Sequence, residues 1–248
     1  MKISIITATF NRTATLRRAI LSVKEQSYTN IETVIIDGCS TDDSLDTIQD
    51  LVSISDIVLS EPDEGIYDAL NKGINLSSGE IVGFLHSDDL YDNDEVVAQV
   101  ADIFGDPSID IVYGNVSFFE GSNRCKVKRI YISPQLSKSN LAWGKMPAHP
   151  ALFCRKAVFD KVGLFQLDYK IAADYEFLCR PVNTLDFKAQ YVNSIFVNMQ
   201  EGGASRIGLR NTYILNKEVC RAVKSNGIYT NLLMILSKYP LKVLEFVR

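Results

Sequence analysis

The sequence has little cysteine and histidine, and neither residue follows the spacing of a disulfide framework or a metal site. Its cysteines are five in number, and no two are separated by only two residues: Cys39, Cys125, Cys154, Cys179 and Cys220. This odd count and wide spacing argue against a disulfide framework and against a zinc knuckle. The two histidines, His86 and His149, are too few for a histidine-rich metal site. The sequence therefore predicts a reduced, cytoplasmic protein.

The chain also lacks long apolar runs and a surplus of basic residues. No stretch approaches the roughly 18 apolar residues that a membrane span needs. The apolar start Ile3–Phe10 is interrupted by polar residues and no small-residue cleavage site follows it, so we expect a first strand rather than a signal peptide. The formal net charge is -4, and lysines and arginines are scattered, which argues against a nucleic-acid partner.

Phosphate-binding loops are missing as well. The first predicted strand is followed by Ala8–Arg12, which has no Gly-x-Gly-x-x-Gly pattern and so argues against a dinucleotide-dependent dehydrogenase. No Walker loop is present either. A sugar nucleotidyltransferase would normally need a loop rich in glycine and arginine at this place. It remains an alternative only because such enzymes also use carboxylates and a metal.

The first half of the chain alternates apolar runs with helical patterns. The predicted strands are Ile3–Phe10, Ile31–Asp37, Asp56–Ser60 and Glu80–His86. The predicted helices are one capped by Thr13, one with Leu45, Ile48 and Leu51 facing inward, Ile66–Leu76 and Asn93–Phe104. This alternation is typical of a doubly wound α/β fold, with a mostly parallel central sheet and helices on both faces.

The second half has a mixed pattern. We expect a hairpin turning at Gly121–Asn123, further strands and helices, and a loop at Gly202–Ser205. We predict a single domain over residues 1–228, divided into halves 1–105 and 106–228. An amphipathic helix over residues 229–248 follows, interrupted at Pro240, and it either packs on the domain or lies on the inner face of a membrane.

Carboxylates follow several of the predicted strands. In a doubly wound sheet, ligands bind beyond the carboxyl ends of the strands, where Asp37 and the pair Asp88-Asp89 fall. Adjacent carboxylates repel each other and resist burial, and a hard divalent cation such as Mg²⁺ or Mn²⁺ would relieve both problems. The alternative for the pair is a solvated turn. The alternative for Asp37 is a local hydrogen bond within the turn.

Further candidates lie away from the predicted strand ends. Lys72 could face a diphosphate, or it could form a helix-surface ion pair with Asp68, four residues earlier. Asp174 follows two small residues and could act as a base or as a helix cap. His149 lies beside two prolines and either lines the site or is structural.

These motifs together resemble the family-2 glycosyltransferases, which have the GT-A fold. The matching segments occur in the correct order: Ile3–Arg12, Val34–Ser44, Asp63–Gly73, Gly79–Asp89, His149–Gly163 and Ala173–Phe177. The resemblance is closest to bacterial enzymes that build surface polysaccharide on a lipid carrier. It implies that residues 1–105 bind the nucleotide sugar and that residues 106–228 bind the acceptor.

The resemblance also implies roles for individual residues. Donor-binding roles fall on Ala8, Phe10, Arg12, Asp37, Asp68, Lys72 and Asp88. Asp89, with Asp88, would bind Mn²⁺ or Mg²⁺, and Asp174 would be the catalytic base. His149 and Trp143 would lie on the acceptor side.

The implied reaction is a metal-dependent, inverting transfer of one sugar from a nucleotide sugar, with UDP as the expected nucleotide, to a glycan or lipid-linked acceptor. The Gln-x-x-Arg-Trp motif of processive synthases is absent, so we expect single transfers. A non-catalytic protein that binds nucleotide sugars is the main alternative. The expected location is cytoplasmic, with peripheral membrane contact through residues 229–248.

Overall fold

A computed structural model of the chain describes residues 1–119, 127–184, 187–200 and 208–239. In these ranges the strands are β1 (Ile3–Thr9), β2 (Ile31–Asp37), β3 (Ile57–Ser60), β4 (Ile81–Phe84), β5 (Asp89–Tyr91), β6 (Ile111–Phe119), β7 (Val127–Tyr131), β8 (Leu152–Arg155) and β9 (Ala189–Gln200). The helices are α1 (Leu16–Lys24), α2 (Ile66–Leu76), α3 (Val96–Ile103), α4 (Lys138–Ala142), α5 (Lys156–Val162), α6 (Ala173–Thr184), α7 (Leu209–Ser225) and α8 (Leu232–Leu236).

The strands form a single sheet in the order β3-β2-β1-β4-β8-β6-β9-β5, and β7 pairs with β6 outside this path. The first four strands in that order are parallel. β8 is antiparallel to both of its neighbours, β9 is parallel to β6, and β5 is antiparallel to β9. The predicted parallel first half and mixed second half are therefore confirmed.

Burial on both faces explains the apolar character of the central strands. Every residue of β1 is buried. Ile6 belongs to the hydrophobic cluster under α2, whereas Ile5 belongs to the cluster under α3. Gly73 allows α2 to lie close to the sheet, because a Cβ atom at this position would overlap with the Cγ2 atom of Ile6.

Two details of the first half differ from the prediction. Thr15, not Thr13, precedes α1, and the Thr13 hydroxyl instead donates a hydrogen bond to Asp42 at 2.6 Å. The predicted second helix is reduced to a single 3₁₀ turn, Asp46–Ile48. The polar loop before this turn is held by its own side chains, such as Asp42, which accepts from the Ser44 backbone N–H at 3.0 Å. Such local bonds compete with helix formation.

The C-terminal segment packs against the domain in its described part. Ile235 of α8 is fully buried in the main hydrophobic cluster, which also contains Ile6 of β1. The rest of the predicted C-terminal helix, residues 240–248, lies outside the described residues, as do the predicted turn at 121–123 and the loop at 202–205. Among the described helices, none combines the length and the apolar character needed to cross a bilayer.

Candidate active site

A cavity of about 930 Å³ opens beside the carboxyl ends of β1 and β4. Its walls come from both halves of the chain. Seven of the residues predicted for the site line it: Ala8, Phe10, Arg12, Asp88, Asp89, His149 and Asp174. The size falls within the range of ligand pockets in proteins, about 300–1,000 Å³.

Asp89 is the most strongly perturbed carboxylate in this cavity. It begins β5, its side chain is only 2% exposed, and its Oδ2 atom has no hydrogen-bond partner. Burial and the neighbouring charge of Asp88 raise the pKa of Asp89 well above its ordinary value, and the backbone N–H of Gln200 offsets this only in part. A buried carboxylate oxygen without a hydrogen-bond partner is costly. The arrangement fits a hard divalent cation bound at Asp89.

The described residues hold no group of three or more carboxylate, histidine or cysteine side chains that could enclose a metal ion. Asp89 and the half-buried Asp88 are adjacent carboxylates that both line the cavity. Mg²⁺ commonly binds in this way, through one or two carboxylates, waters and the phosphates of a substrate.

Asp174 lies at the start of α6 and also faces the cavity. Its Oδ1 atom accepts hydrogen bonds from the backbone N–H of Tyr175 at 2.8 Å and from the hydroxyl of Tyr67 at 3.2 Å. Burial raises the pKa of Asp174 to about 6, although both hydrogen bonds act in the opposite direction. A carboxylate with such a pKa is suited to accept a proton near neutral pH.

Four of the predicted site residues do not line the cavity: Asp37, Asp68, Lys72 and Trp143. Asp37 is fully buried at the end of β2, where its carboxylate accepts hydrogen bonds from Ser40 and, at 2.6 Å, from the hydroxyl of Ser60. Trp143 is 45% exposed on the surface. It directly precedes Gly144, which does line the cavity.

Lys72 has several partners close to its own helix. Its Nζ atom lies 2.9 Å from Glu61 and 3.2 Å from Asp68, and it donates to the Pro62 carbonyl at 2.7 Å. These contacts tie α2 to the segment that follows β3. Asp68 and Lys72 therefore form the ion pair on the helix surface that the sequence analysis gave as the alternative.

Sequence reasoning missed several polar residues that line the cavity, among them Asp63, Tyr67 and His86. Asp63 packs over Gly38, where a Cβ atom would overlap with its carboxylate. The hydroxyl of Tyr67 reaches a residue 107 positions later in the chain. No local pattern could have shown that contact. The position of His86, three residues before Asp89 after an apolar run, was the available signal for this residue.

Comparison with known proteins identifies the family. The family model described as "Glycosyl transferase family 2" matches residues 4–163. A PGL/p-HBAD biosynthesis glycosyltransferase of Mycobacterium bovis BCG is 29% identical over 247 residues, which cover 98% of this chain and 92% of the relative. An uncharacterised glycosyltransferase of Mycobacterium tuberculosis is 34% identical over 181 residues, 72% of this chain and 68% of that protein.

Solved structures show the same fold at low sequence identity. TarS residues 1–349 of Staphylococcus aureus, in complex with UDP-GlcNAc, match with a TM-score of 0.69 and 17% identity over 90% of this chain and 66% of that one. The mannosyltransferase PcManGT of Pyrobaculum calidifontis, in complex with GDP-Man and Mn²⁺, matches with a TM-score of 0.61 and 15% identity, covering 91% of this chain and 73% of that one. The predicted fold is confirmed, and the chain is a GT-A glycosyltransferase that belongs to family 2.

Proposed function

We propose that the protein transfers a single sugar from a nucleotide sugar, with UDP as the expected nucleotide, to an acceptor hydroxyl with inversion. The observation that carries this proposal is that one cavity holds both the Asp89 carboxylate, whose Oδ2 atom has no hydrogen-bond partner, and the Asp174 carboxylate, whose pKa is raised by burial. Direct displacement needs a cation-binding group at the diphosphate of the donor and a base at the acceptor hydroxyl, both within reach of the same anomeric carbon. The complexes of the two neighbours with UDP-GlcNAc and with GDP-Man and Mn²⁺ support it.

Asp89, with Asp88 beside it, would hold Mn²⁺ or Mg²⁺. A bound cation would supply Lewis-acid neutralisation of the charge on the leaving diphosphate. Asp88 is half-buried and lines the cavity, so it can also accept hydrogen bonds from the ribose. The nucleoside would lie along Ala8, Phe10 and Arg12, at the end of β1.

The donor-binding roles of Asp37, Asp68 and Lys72 take an indirect form in this proposal. Asp37 accepts from Ser40 and Ser60, and it thereby fixes the two turns that follow β2 and β3. Lys72 and Asp68 hold α2 against the segment after β3. All three residues would shape the donor side of the cavity without touching the nucleotide.

Asp174 would act as the general base. The acceptor oxygen forms a bond to the anomeric carbon of the sugar while the bond from that carbon to the diphosphate oxygen breaks. The acceptor proton moves to Asp174. Since the Oδ1 atom already accepts two hydrogen bonds, Oδ2 is the atom suited to receive the proton.

The acceptor would be a glycan or a lipid-linked glycan used in synthesis of the cell envelope. His149 and the neighbouring surface at Trp143 would lie on this side. The outward residues of α8 support a membrane contact, since Leu232 is 50% exposed and Leu233 is 81% exposed, while Lys238 lines the cavity. Exposed apolar side chains on a surface helix favour binding to a membrane surface. The protein would then act in the cytoplasm, at the inner membrane face.

Calorimetric titration tests the donor proposal. UDP-glucose, UDP-GlcNAc and GDP-mannose would be titrated into the protein with Mn²⁺ and with EDTA, and nucleotide release would be followed in parallel. We expect Mn²⁺-dependent binding of at least one donor and slow release of its nucleoside diphosphate. Binding without release, in the presence of acceptor glycolipids, would favour the non-catalytic alternative. Absence of binding would contradict the proposal.

Vesicle co-sedimentation tests the membrane contact separately. The wild-type protein is expected to sediment with vesicles that contain phosphatidylglycerol, and Leu233→Glu is expected to reduce the bound fraction. Ile54→Glu is the matched control, because Ile54 is a fully exposed apolar residue away from α8. Equal binding of all three proteins would count against docking through α8.

A further inference from the structure

Tyr67 holds an unusual position between the two halves of the site. It belongs to the first turn of α2, and the residues just before it, Asp63 and Gly65, line the cavity with it. Its ring contacts Phe165 with centroids 5.7 Å apart, and its hydroxyl reaches the beginning of α6. One turn of helix therefore connects the donor side of the cavity to Asp174.

The Tyr67 hydroxyl has two acceptors but only one hydrogen. It lies 2.6 Å from the carbonyl oxygen of Ile171 and 3.2 Å from Oδ1 of Asp174. The Ile171 carbonyl accepts at any pH, whereas the Asp174 carboxyl accepts well only when it is ionised. The protonation state of Asp174 therefore decides how the Tyr67 hydrogen is shared.

We propose that Tyr67 is a positioning residue for the catalytic base: its hydroxyl donates to Oδ1 of ionised Asp174, keeps Oδ2 directed to the acceptor, and turns to the Ile171 carbonyl when Asp174 takes up the acceptor proton. This inference rests on the proposed function of Asp174. Tyr67 loses no proton in the reaction. Burial and the charge of Asp174 raise its pKa above the ordinary tyrosine value, so it stays neutral.

The other groups that face Asp174 are fixed and do not substitute for this hydroxyl. The backbone N–H of Tyr175 donates to the same Oδ1 atom, and the charge of Glu218 on α7 raises the pKa of Asp174. Glu218 is itself held by the backbone N–H groups of residues 170–172, at 2.9 to 3.1 Å. Among the described residues, Tyr67 is thus the one whose side chain donates a hydrogen bond to the Asp174 carboxylate.

The test is the pH profile of kcat/KM for the donor in Tyr67→Phe, because this parameter reports groups of the free enzyme. A net hydrogen bond corresponds to a shift of about 0.4 to 1 pH unit, so we expect the acid limb to move upward by about that amount. We expect kcat to fall about tenfold through loss of alignment, while the Kd for the donor stays unchanged.

Tyr175→Phe is the matched control. It removes a buried hydroxyl that donates to the Leu141 carbonyl at 2.5 Å, but it keeps the backbone N–H that binds Asp174. It should leave the midpoint of the acid limb in place. Tyr67→3-fluorotyrosine introduces a stronger hydrogen-bond donor of nearly the same size, so it should move the midpoint downward. This variant keeps the test valid if the phenylalanine variant fails to fold.

An unchanged or lowered midpoint in folded Tyr67→Phe, or a loss of donor affinity equal to the loss in kcat/KM, would overturn the inference. Failure of the proposed function would look different, since Asp174→Asn would then keep the wild-type rate. In that case no effect of Tyr67 on the midpoint is expected.

Discussion

Replacement of Asp89 by asparagine should make the metal-free protein more stable at neutral pH. The carboxylate is 2% exposed, its Oδ2 atom has no partner, and its pKa is raised by burial and by Asp88. A carboxyl group with a raised folded pKa lowers the free energy of unfolding as pH rises from the unfolded pKa, about 4, to the folded pKa. Below about pH 4 the two proteins should therefore be alike, and the variant should gain its advantage as pH rises.

Metal binding should make the wild type more stable than Asp89→Asn. A ligand at about 100 times its Kd raises the free energy of unfolding by about 2.7 kcal/mol. For a chain of this size each kcal/mol corresponds to about 2–4 °C in Tm. With Mn²⁺ and UDP at such concentrations, the wild-type Tm should rise by about 5–10 °C. Asp89→Asn loses the charged oxygen that binds the cation, so its Tm should rise far less.

Thermal melts in EDTA and in Mn²⁺ with UDP, at several pH values, measure both effects. Asp94→Asn is the control, because Asp94 is an exposed carboxylate five residues away in the same segment. It should behave like the wild type in both buffers. A wild-type protein that is more stable than Asp89→Asn in EDTA near pH 8, or equal stabilisation of the two by Mn²⁺ and UDP, would refute the assignment of the metal to Asp89.

Two further substitutions test the packing around the site. Gly73→Ala should lower the free energy of unfolding by about 1–3 kcal/mol in urea, because its Cβ atom would overlap with Ile6, whereas Gly208→Ala, with open space around it, should not. His149→Phe should preserve the stacking on Phe84, whose ring lies 4.6 Å away, and should remove a buried Nε2 atom that has no partner. Its Tm should match or exceed that of the wild type while the KM for the acceptor rises; a large fall in Tm would indicate that His149 is structural.

The parts of the fold that the sequence predicts best are those with strong local signals. The bounds of β2 and α2 agree with the prediction residue for residue, because each is a clear apolar pattern with a glycine next to one end. Gly65 precedes α2 and Gly163 follows α5, both with positive φ. The order of the strands in the second half depends on pairing between distant segments. Local patterns do not contain this information.

The candidate site shows the same division. Carboxylates placed after strands or at a helix start, such as Asp88, Asp89 and Asp174, could be selected from the sequence, and the structure brings these three to one cavity. Asp37 also lies at a strand end and therefore gave the same signal. Its carboxylate, however, accepts a hydrogen bond from the hydroxyl of Ser60, which belongs to another strand. Tyr67 gave no signal, since its importance rests on a tertiary contact with α6.

The measurement that tests the central claim most directly compares donor turnover by the wild type and Asp174→Asn. Both would be assayed for Mn²⁺-dependent sugar transfer from the donor found by calorimetry, with the donor Kd measured on the same samples. A general base typically contributes a factor of about 10² to 10⁴. We predict that Asp174→Asn binds the donor as the wild type does and turns it over at least about a hundredfold more slowly. Transfer at the wild-type rate by the folded variant would contradict the account.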